Sequence, residues 1–221
     1  MTKNTISSTT VIVRGSFTLR NTNADANICF HAQDGVKLHD VEVRSNLDQY
    51  QVACGGAKYL GRTKHPKPTP DDWRAIRTKK PSGLSTNNVM DDTTHWYMGE
   101  DIKTSIANSE GKKEPIYLSG VVTRAKIRCV DTVIVTNCQI GRLSLQNVGR
   151  VIIGGDTTVA RVATCSVKMV SIGEYGTSPV HIGKLVVRGA LATTIAGDAN
   201  VVNGNINSAL TILEGHATLG S

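Results

Sequence analysis

Aromatic residues and long apolar runs are both scarce in this chain of 221 residues. Aromatics make up only 4% of the sequence, whereas glycine occurs 21 times, which predicts a core of Val, Ile, Leu and Ala with many turns. No stretch reaches the roughly 18 apolar residues of a membrane-spanning helix, and the N-terminus lacks an apolar run of signal-peptide length. We therefore expect a folded protein that has no membrane partner and is made in the cytosol without Sec-type export.

Motifs for metals, disulfides and nucleotides are also missing. The five cysteines are odd in number, no two have CxxC spacing, and the six histidines are scattered. A disulfide framework or a zinc site needs a paired or convergent set, so we expect reduced core thiols and no metal ion. The sequence contains no GxSxG, HExxH, P-loop or GxGxxG motif. No cofactor is expected, and no residue is singled out as catalytic.

Short β-branched runs recur along the second half of the chain. They begin at Val133, Val151, Met169, Leu185 and Val201, in steps of 18, 18, 16 and 16 residues, and Gly or Asn usually follows each run. Several short strands per repeat, separated by residues that tolerate a left-handed backbone, predict a chain that winds in stacked coils. A hexapeptide helix is excluded, because the series at every sixth position from Ile134 meets Gln146, Thr158, Thr164 and Gly176. The predicted fold class is all-β, a β-solenoid or parallel β-helix.

The stretch "VDTVIVTNCQIGRLSLQNVGRVIIGG" resembles a coil of the right-handed parallel β-helix proteins of the pectate-lyase-like group. In that group, aliphatic residues such as those at Val133, Val135 and Ile140 face inwards, and an asparagine such as Asn137 lies at a turn. The resemblance covers about residues 120–213. It implies coils of the kind found in phage tailspikes, head fibres and decoration proteins, and also in polysaccharide lyases.

Three segments are predicted. Residues 1–57 carry alternating strands and are expected to form the first coils or a cap, and residues 117–221 form the main coils. Residues 58–116 form an inserted arm, rich in proline and basic residues. Within it, "TPDDWRAIR" predicts a short helix with Thr69 as N-cap and Pro70 in the first turn.

The positive charge of the protein is concentrated in this arm. Of the 25 basic and 18 acidic residues in the chain, eight basic and two acidic ones lie between Lys58 and Lys80, so 17 and 16 remain elsewhere. Both tryptophans also lie in the arm, and Trp, Tyr and Arg are frequent anchors of protein interfaces. The predicted partner-binding residues are Arg62, Lys64, Lys67, Trp73, Arg74, Arg77, Lys79, Lys80, Trp96 and Tyr97.

The predicted function is that of a structural virion protein of a tailed phage, either a capsid decoration protein or a short head or tail fibre. Its expected partners are other virion proteins and further copies of itself, with a trimer implied by the resemblance. One alternative is a tailspike-like protein that binds or cleaves polysaccharide, with the paired carboxylates Asp40 and Glu42, Asp91 and Asp92, or Glu100 and Asp101 as candidates. A second alternative is a nucleic-acid-binding protein, which is less favoured because no recognition motif accompanies the basic residues.

Overall fold

The computed structural model describes residues 3–33, 35–45, 51–52, 57–59, 96–99, 103–107, 115–174 and 179–221. These residues form fifteen β-strands and, in the described ranges, no helix. The strands are β1 (Asn4–Val13), β2 (Thr18–Ala32), β3 (Lys37–Ser45), β4 (Gln51–Val52), β5 (Ala57–Tyr59), β6 (Trp96–Gly99), β7 (Lys103–Ala107), β8 (Ile116–Arg128), β9 (Thr132–Gln146), β10 (Arg150–Gly154), β11 (Thr157–Cys165), β12 (Met169–Ile172), β13 (Val180–Ile195), β14 (Asn200–Leu213) and β15 (Thr218–Leu219).

The strands wind into a parallel β-solenoid of about seven turns, which confirms the predicted all-β solenoid. Adjacent coils pair in parallel, as Val133 of β9 does with Ile116 of β8 and Val151 of β10. The long strands bend where residues adopt positive φ, as β9 does at Asn137 (φ 51). The left-handed backbone turns the chain onto the next face without ending the hydrogen-bond ladder, and asparagine tolerates it.

The core is a set of inward-facing columns, because alternate residues of each strand point to the inside of the coil. One column runs through eight successive coils and consists of buried residues only. Each Leu or Ile that is removed from water in such a column stabilises the fold by roughly 1.5–3 kcal/mol. Its members, in stacking order, are Ile127, Leu145, Thr164, Val187, Ile206, Ile6, Ala24 and Val43.

The coil period is longer than the 16-residue steps in the sequence suggested. Val133, Val151 and Val170 stack directly, which confirms steps close to 18 residues in this part of the chain. The next residue in that column is Thr193, 23 positions after Val170. Leu185 stacks on Val162 of another face. The lengthened turn after β12 shifts the phase, and the apolar run at Leu185 therefore belongs to a different side of the solenoid.

The stacking order of the coils differs from their order in the sequence. Strand β1 lies between β14 and β2, so the N-terminal strands continue the stack beyond the C-terminal coil. We call β1–β5 the N-terminal unit, β6–β15 the C-terminal unit, and the boundary between them the seam. One coil is composite, since β15 and β1 both pack between β14 and β2.

The glycines at one corner continue across the seam. Gly215 and Gly15 have φ values of 75° and 73°, and a Cβ on Gly15 would lie 3.1 Å from the backbone nitrogen of Gly215. The backbones of the two units therefore approach as closely as those of successive coils in the same unit. The N-terminal strands form coils of the solenoid, as expected, but these coils follow residue 219 in the stack.

The predicted arm includes part of the solenoid. Strands β6 and β7 pair with β8 at one end of the stack, and β5 pairs with β3 at the other end. Residues 60–95, which we call the connector, therefore join the two opposite ends. The helix predicted from Thr69 lies outside the described residues.

A basic face on the C-terminal coils

A column of positive side chains follows one face of the C-terminal unit. Arg124, Arg142, Arg161 and Lys184 are in register on four consecutive coils, and all four are exposed. Parallel strands are about 4.8 Å apart, so the four charges span roughly 14 Å along the solenoid axis. The backbone ladder fixes this spacing.

Further cations flank the column on the same strands. Lys126 is exposed two residues after Arg124, and Arg188 is exposed four residues after Lys184. The four strand segments "RAKIR", "RLSLQ", "RVATC" and "KLVVR" contain no Asp or Glu. We call the six exposed residues the basic face, which comprises Arg124, Lys126, Arg142, Arg161, Lys184 and Arg188.

The basic face encloses a shallow groove of about 270 Å³. Lys126, Arg142, Arg161 and Arg188 line it, together with polar groups that include Ser144. Arginine offers several N–H donors in a planar fork, which suits carboxylate, sulfate and phosphate groups. The groove can therefore hold an anionic group between two coils.

Stacked like charges are unfavourable in a β-sheet. Like charges directly opposite each other on neighbouring strands destabilise the pairing, and nothing in the solenoid core requires four cations in one outward column. Departures from local rules of this kind are expected at functional sites. An anionic partner along the column would relieve the repulsion.

The same face changes character towards the seam. Lys184 is in register with Asn203, and Asn205 and Asn207 follow on the same side of β14. Beyond the seam the face carries charges of both signs, with Lys3 and Glu42 in a salt bridge of 3.1 Å. The excess of positive charge is thus confined to the C-terminal unit.

The structure separates one candidate pair of catalytic carboxylates. Asp40 and Glu42 were expected to share a strand face, but Asp40 has a φ of 52° at a bend of β3. Glu42 follows the bend and is paired with Lys3. The premise of a common strand face is therefore wrong. The pairs at Asp91 and Asp92 and at Glu100 and Asp101 lie outside the described residues.

Cys138 behaves as a core residue. Its side chain is almost fully buried, and this burial raises the pKa of the thiol to about 11. The thiol stays protonated at neutral pH and is a poor nucleophile. Cys29, Cys129 and Cys165 are free and partly exposed. The described residues contain no group of three or more His, Cys, Asp and Glu side chains that could hold a metal ion.

Most of the partner-binding residues predicted from the sequence cannot be placed. Arg62, Lys64, Lys67, Trp73, Arg74, Arg77, Lys79 and Lys80 belong to the connector, outside the described residues. Trp96 and Tyr97 lie on β6, in register with Tyr117 and Leu118. The basic face was missed, although its sequence signal exists: basic residues recur at intervals of 18, 19 and 23 residues from Arg124 to Lys184.

Comparison with family models, with curated proteins and with solved structures finds no match. No helix in the described ranges is long and apolar enough to cross a membrane. Because a fold does not define an activity, the function is inferred from the site itself.

Proposed function

We propose that this chain is a non-catalytic structural protein that attaches to an acidic partner through its basic face. The proposal depends mainly on one observation, the column of Arg124, Arg142, Arg161 and Lys184 on consecutive coils with no acidic residue among them. A column held by a continuous backbone ladder loses little conformational freedom when a partner binds. The charges also steer an acidic surface into contact.

The setting that we propose is the particle of a tailed phage, where the protein would decorate the capsid or form a short fibre with further copies of itself, as a trimer. The support is the resemblance of the coil sequence to β-helix proteins of virions, together with the solenoid itself. Acidic surfaces of neighbouring virion proteins would supply the complementary charge.

Two triple variants test the attachment surface. R142Q/R161Q/K184Q removes three charges from the basic face, and R20Q/K37Q/K168Q removes three exposed charges elsewhere. We expect the wild-type chain and the control variant to sediment with virus particles from producing cells, and the basic-face variant to remain in the soluble fraction. Absence of the wild-type chain from purified particles would contradict the virion setting. Equal retention of both variants would show that the basic face is not the attachment surface.

The connector is a second attachment surface in this proposal. Its basic residues and Trp73 were selected from composition, and deletion of residues 62–81 separates their contribution from that of the basic face. We expect the deletion to weaken attachment to particles while the far-ultraviolet circular dichroism spectrum of the β-solenoid is retained. Unchanged attachment of the deleted chain would remove the connector from the proposal.

An acidic polysaccharide is the second candidate partner. Asn203, Asn205 and Asn207 extend the basic face with amide groups, which can donate hydrogen bonds to sugar hydroxyls and accept them. A polysaccharide partner predicts binding of sulfated or carboxylated oligosaccharides that weakens with salt, whereas a neutral oligosaccharide of the same length does not bind. Stronger binding to duplex DNA than to any oligosaccharide would favour a nucleic acid instead.

A further inference from the structure

The seam joins two parts of the chain that are far apart in sequence. Among the described strands, the N-terminal unit is paired with the C-terminal unit only through β14 and β15. Strand β1 is in register with β14 from Thr5 opposite Asn205 to Val13 opposite Leu213. The seam is therefore the surface along which the two units recognise each other.

Specific polar contacts cross the seam as well as the backbone ladder. The buried hydroxyl groups of Ser8 and Thr211 are 2.7 Å apart, and Thr211 also contacts Ser208 at 2.8 Å. Arg14 forms a salt bridge with Glu214. These contacts fix one register of β1 on β14, because a shift by one residue would place the inward side chains of β1 outside.

The covalent path between the units is long. Strand β5 and strand β6 lie at opposite ends of the stack, separated by nine strand spacings, or roughly 43 Å. The 36 residues of the connector have an extended length of roughly 120 Å. The linkage is therefore long enough to reach the seam of a neighbouring molecule as well as that of its own chain.

An unfilled seam exposes a reactive edge. Without the N-terminal unit, β14 would present unpaired backbone groups and the side chains of Val201, Ile206 and Leu213, which are completely buried in the structure. Such an edge pairs readily with any strand of matching sequence. Every further copy of this chain carries the matching strand, β1.

We propose that the seam is a self-association site at which the N-terminal unit of one copy docks onto the C-terminal coil of a second copy. Each exchanged contact is identical to the contact that it replaces, so exchange costs little beyond the difference in linkage. A linker of this length holds its own unit at an effective concentration on the order of millimolar or below, which a crowded assembly can match. The exchange closes when every copy receives one unit. The inference is independent of the proposed attachment to an acidic partner.

Cysteine cross-linking across the seam distinguishes exchange from closure within one chain. The hydroxyl oxygens of Ser8 and Ser208 are 3.5 Å apart, so the variant S8C/S208C places two thiols within bonding range. Exchange predicts oligomers linked by this disulfide on a non-reducing gel after oxidation of the full-length chain. The control T193C/T211C joins two buried residues in register inside the C-terminal unit and should cross-link only within one chain. Cross-linking of S8C/S208C exclusively within single chains would overturn the proposal.

A second measurement avoids new cysteines. Tagged and untagged wild-type copies are co-expressed, and the tagged copy is captured. The same is done with a circular permutant in which a short glycine linker joins Ser221 to Lys3 and the connector is removed, so that the N-terminal unit is tethered beside its own seam. We expect the wild-type copies to co-purify and the permutant copies to separate. Equal co-purification of the permutant would place self-association elsewhere and would also overturn the proposal.

Discussion

The carboxamide oxygen of Asn4 accepts a hydrogen bond of 2.7 Å from the backbone N–H of Gly204, which is 200 residues away in the sequence. The amide nitrogen of Asn4 donates to the carbonyl oxygens of Arg20 (3.0 Å) and Asn21 (3.2 Å). Asn4 is only 2% exposed. One buried side chain therefore ties together the coil before the seam and the coil after it.

Substitution of Asn4 by Ala should weaken the seam. The change leaves the N–H of Gly204 buried without its partner, and a buried polar group without a hydrogen bond costs about 1–3 kcal/mol. We expect N4A to lower the free energy of unfolding in urea by about 2 kcal/mol. The exposed Asn205 provides the control, since N205A should change stability by less than about 0.5 kcal/mol. Equal stability of both variants would mean that Asn4 does not hold the seam.

Circular permutation should preserve the fold. A Cβ on Gly220 would lie 2.8 Å from the amide nitrogen of Asn4, so the segments to be joined are neighbours in space. A chain that begins at residue 96, runs to Ser221, continues through a short glycine linker to Lys3 and ends at residue 59 should give the circular dichroism spectrum of the wild type and unfold in one transition. The matched control removes the same connector but joins residue 59 directly to residue 96. That linkage cannot span the stack, so a folded monomer of the control would contradict the stacking order.

The threonines at positions 164 and 157 should respond oppositely to replacement by valine. The hydroxyl of Thr164 is buried in an aliphatic column and has no hydrogen-bond partner among the described residues. T164V should therefore raise the free energy of unfolding by about 1 kcal/mol. The hydroxyl of Thr157, in contrast, donates to the carbonyl oxygen of Gly154 at 2.6 Å. T157V should lower stability by about 1 kcal/mol, and a loss of stability in both variants would mean that Thr164 is satisfied in solution.

Salt should stabilise the isolated protein through the basic face. Counter-ions screen the repulsion between Arg124, Arg142, Arg161 and Lys184, whose charges are separated by less than a Debye length at ordinary ionic strength. We expect the urea midpoint of the wild type to rise with sodium chloride concentration, and that of R142Q/R161Q/K184Q to rise much less. The control R20Q/K37Q/K168Q should keep the wild-type response. A salt response that is the same in all three proteins would show that the column carries no significant repulsion.

Alkaline pH should destabilise the core at Cys138. Burial raises the pKa of this thiol from 9.0 to about 11, so the folded state holds the proton more tightly than the unfolded state. The stability associated with the protonated thiol is complete below pH 9 and is lost as the pH rises towards 11. The difference in the free energy of unfolding between wild type and C138A should therefore shrink across this window. A constant difference would mean that the thiol does not titrate with a raised pKa.

The sequence predicted the type of coil better than the arrangement of coils. Apolar alternation around Val133 and Val151 reports local burial, and the coil class followed from it. The phase shift after Ile172 could not be predicted, because a lengthened corner leaves no apolar pattern of its own. The seam was equally hidden, since nothing in the residues of β1 states that their partner is β14 and not β8. The basic face was missed because charges were counted by segment, while the fold sorts them by position in the coil.

The stacking order also has a consequence for synthesis on the ribosome. Strand β1 leaves the ribosome among the first residues, yet one of the two strands that flank it, β14, ends only at Leu213. The N-terminal unit must therefore wait, bearing one uncovered face, until almost the whole chain has been translated. Assembly of the composite coil is a late event in which the oldest part of the polypeptide meets the newest.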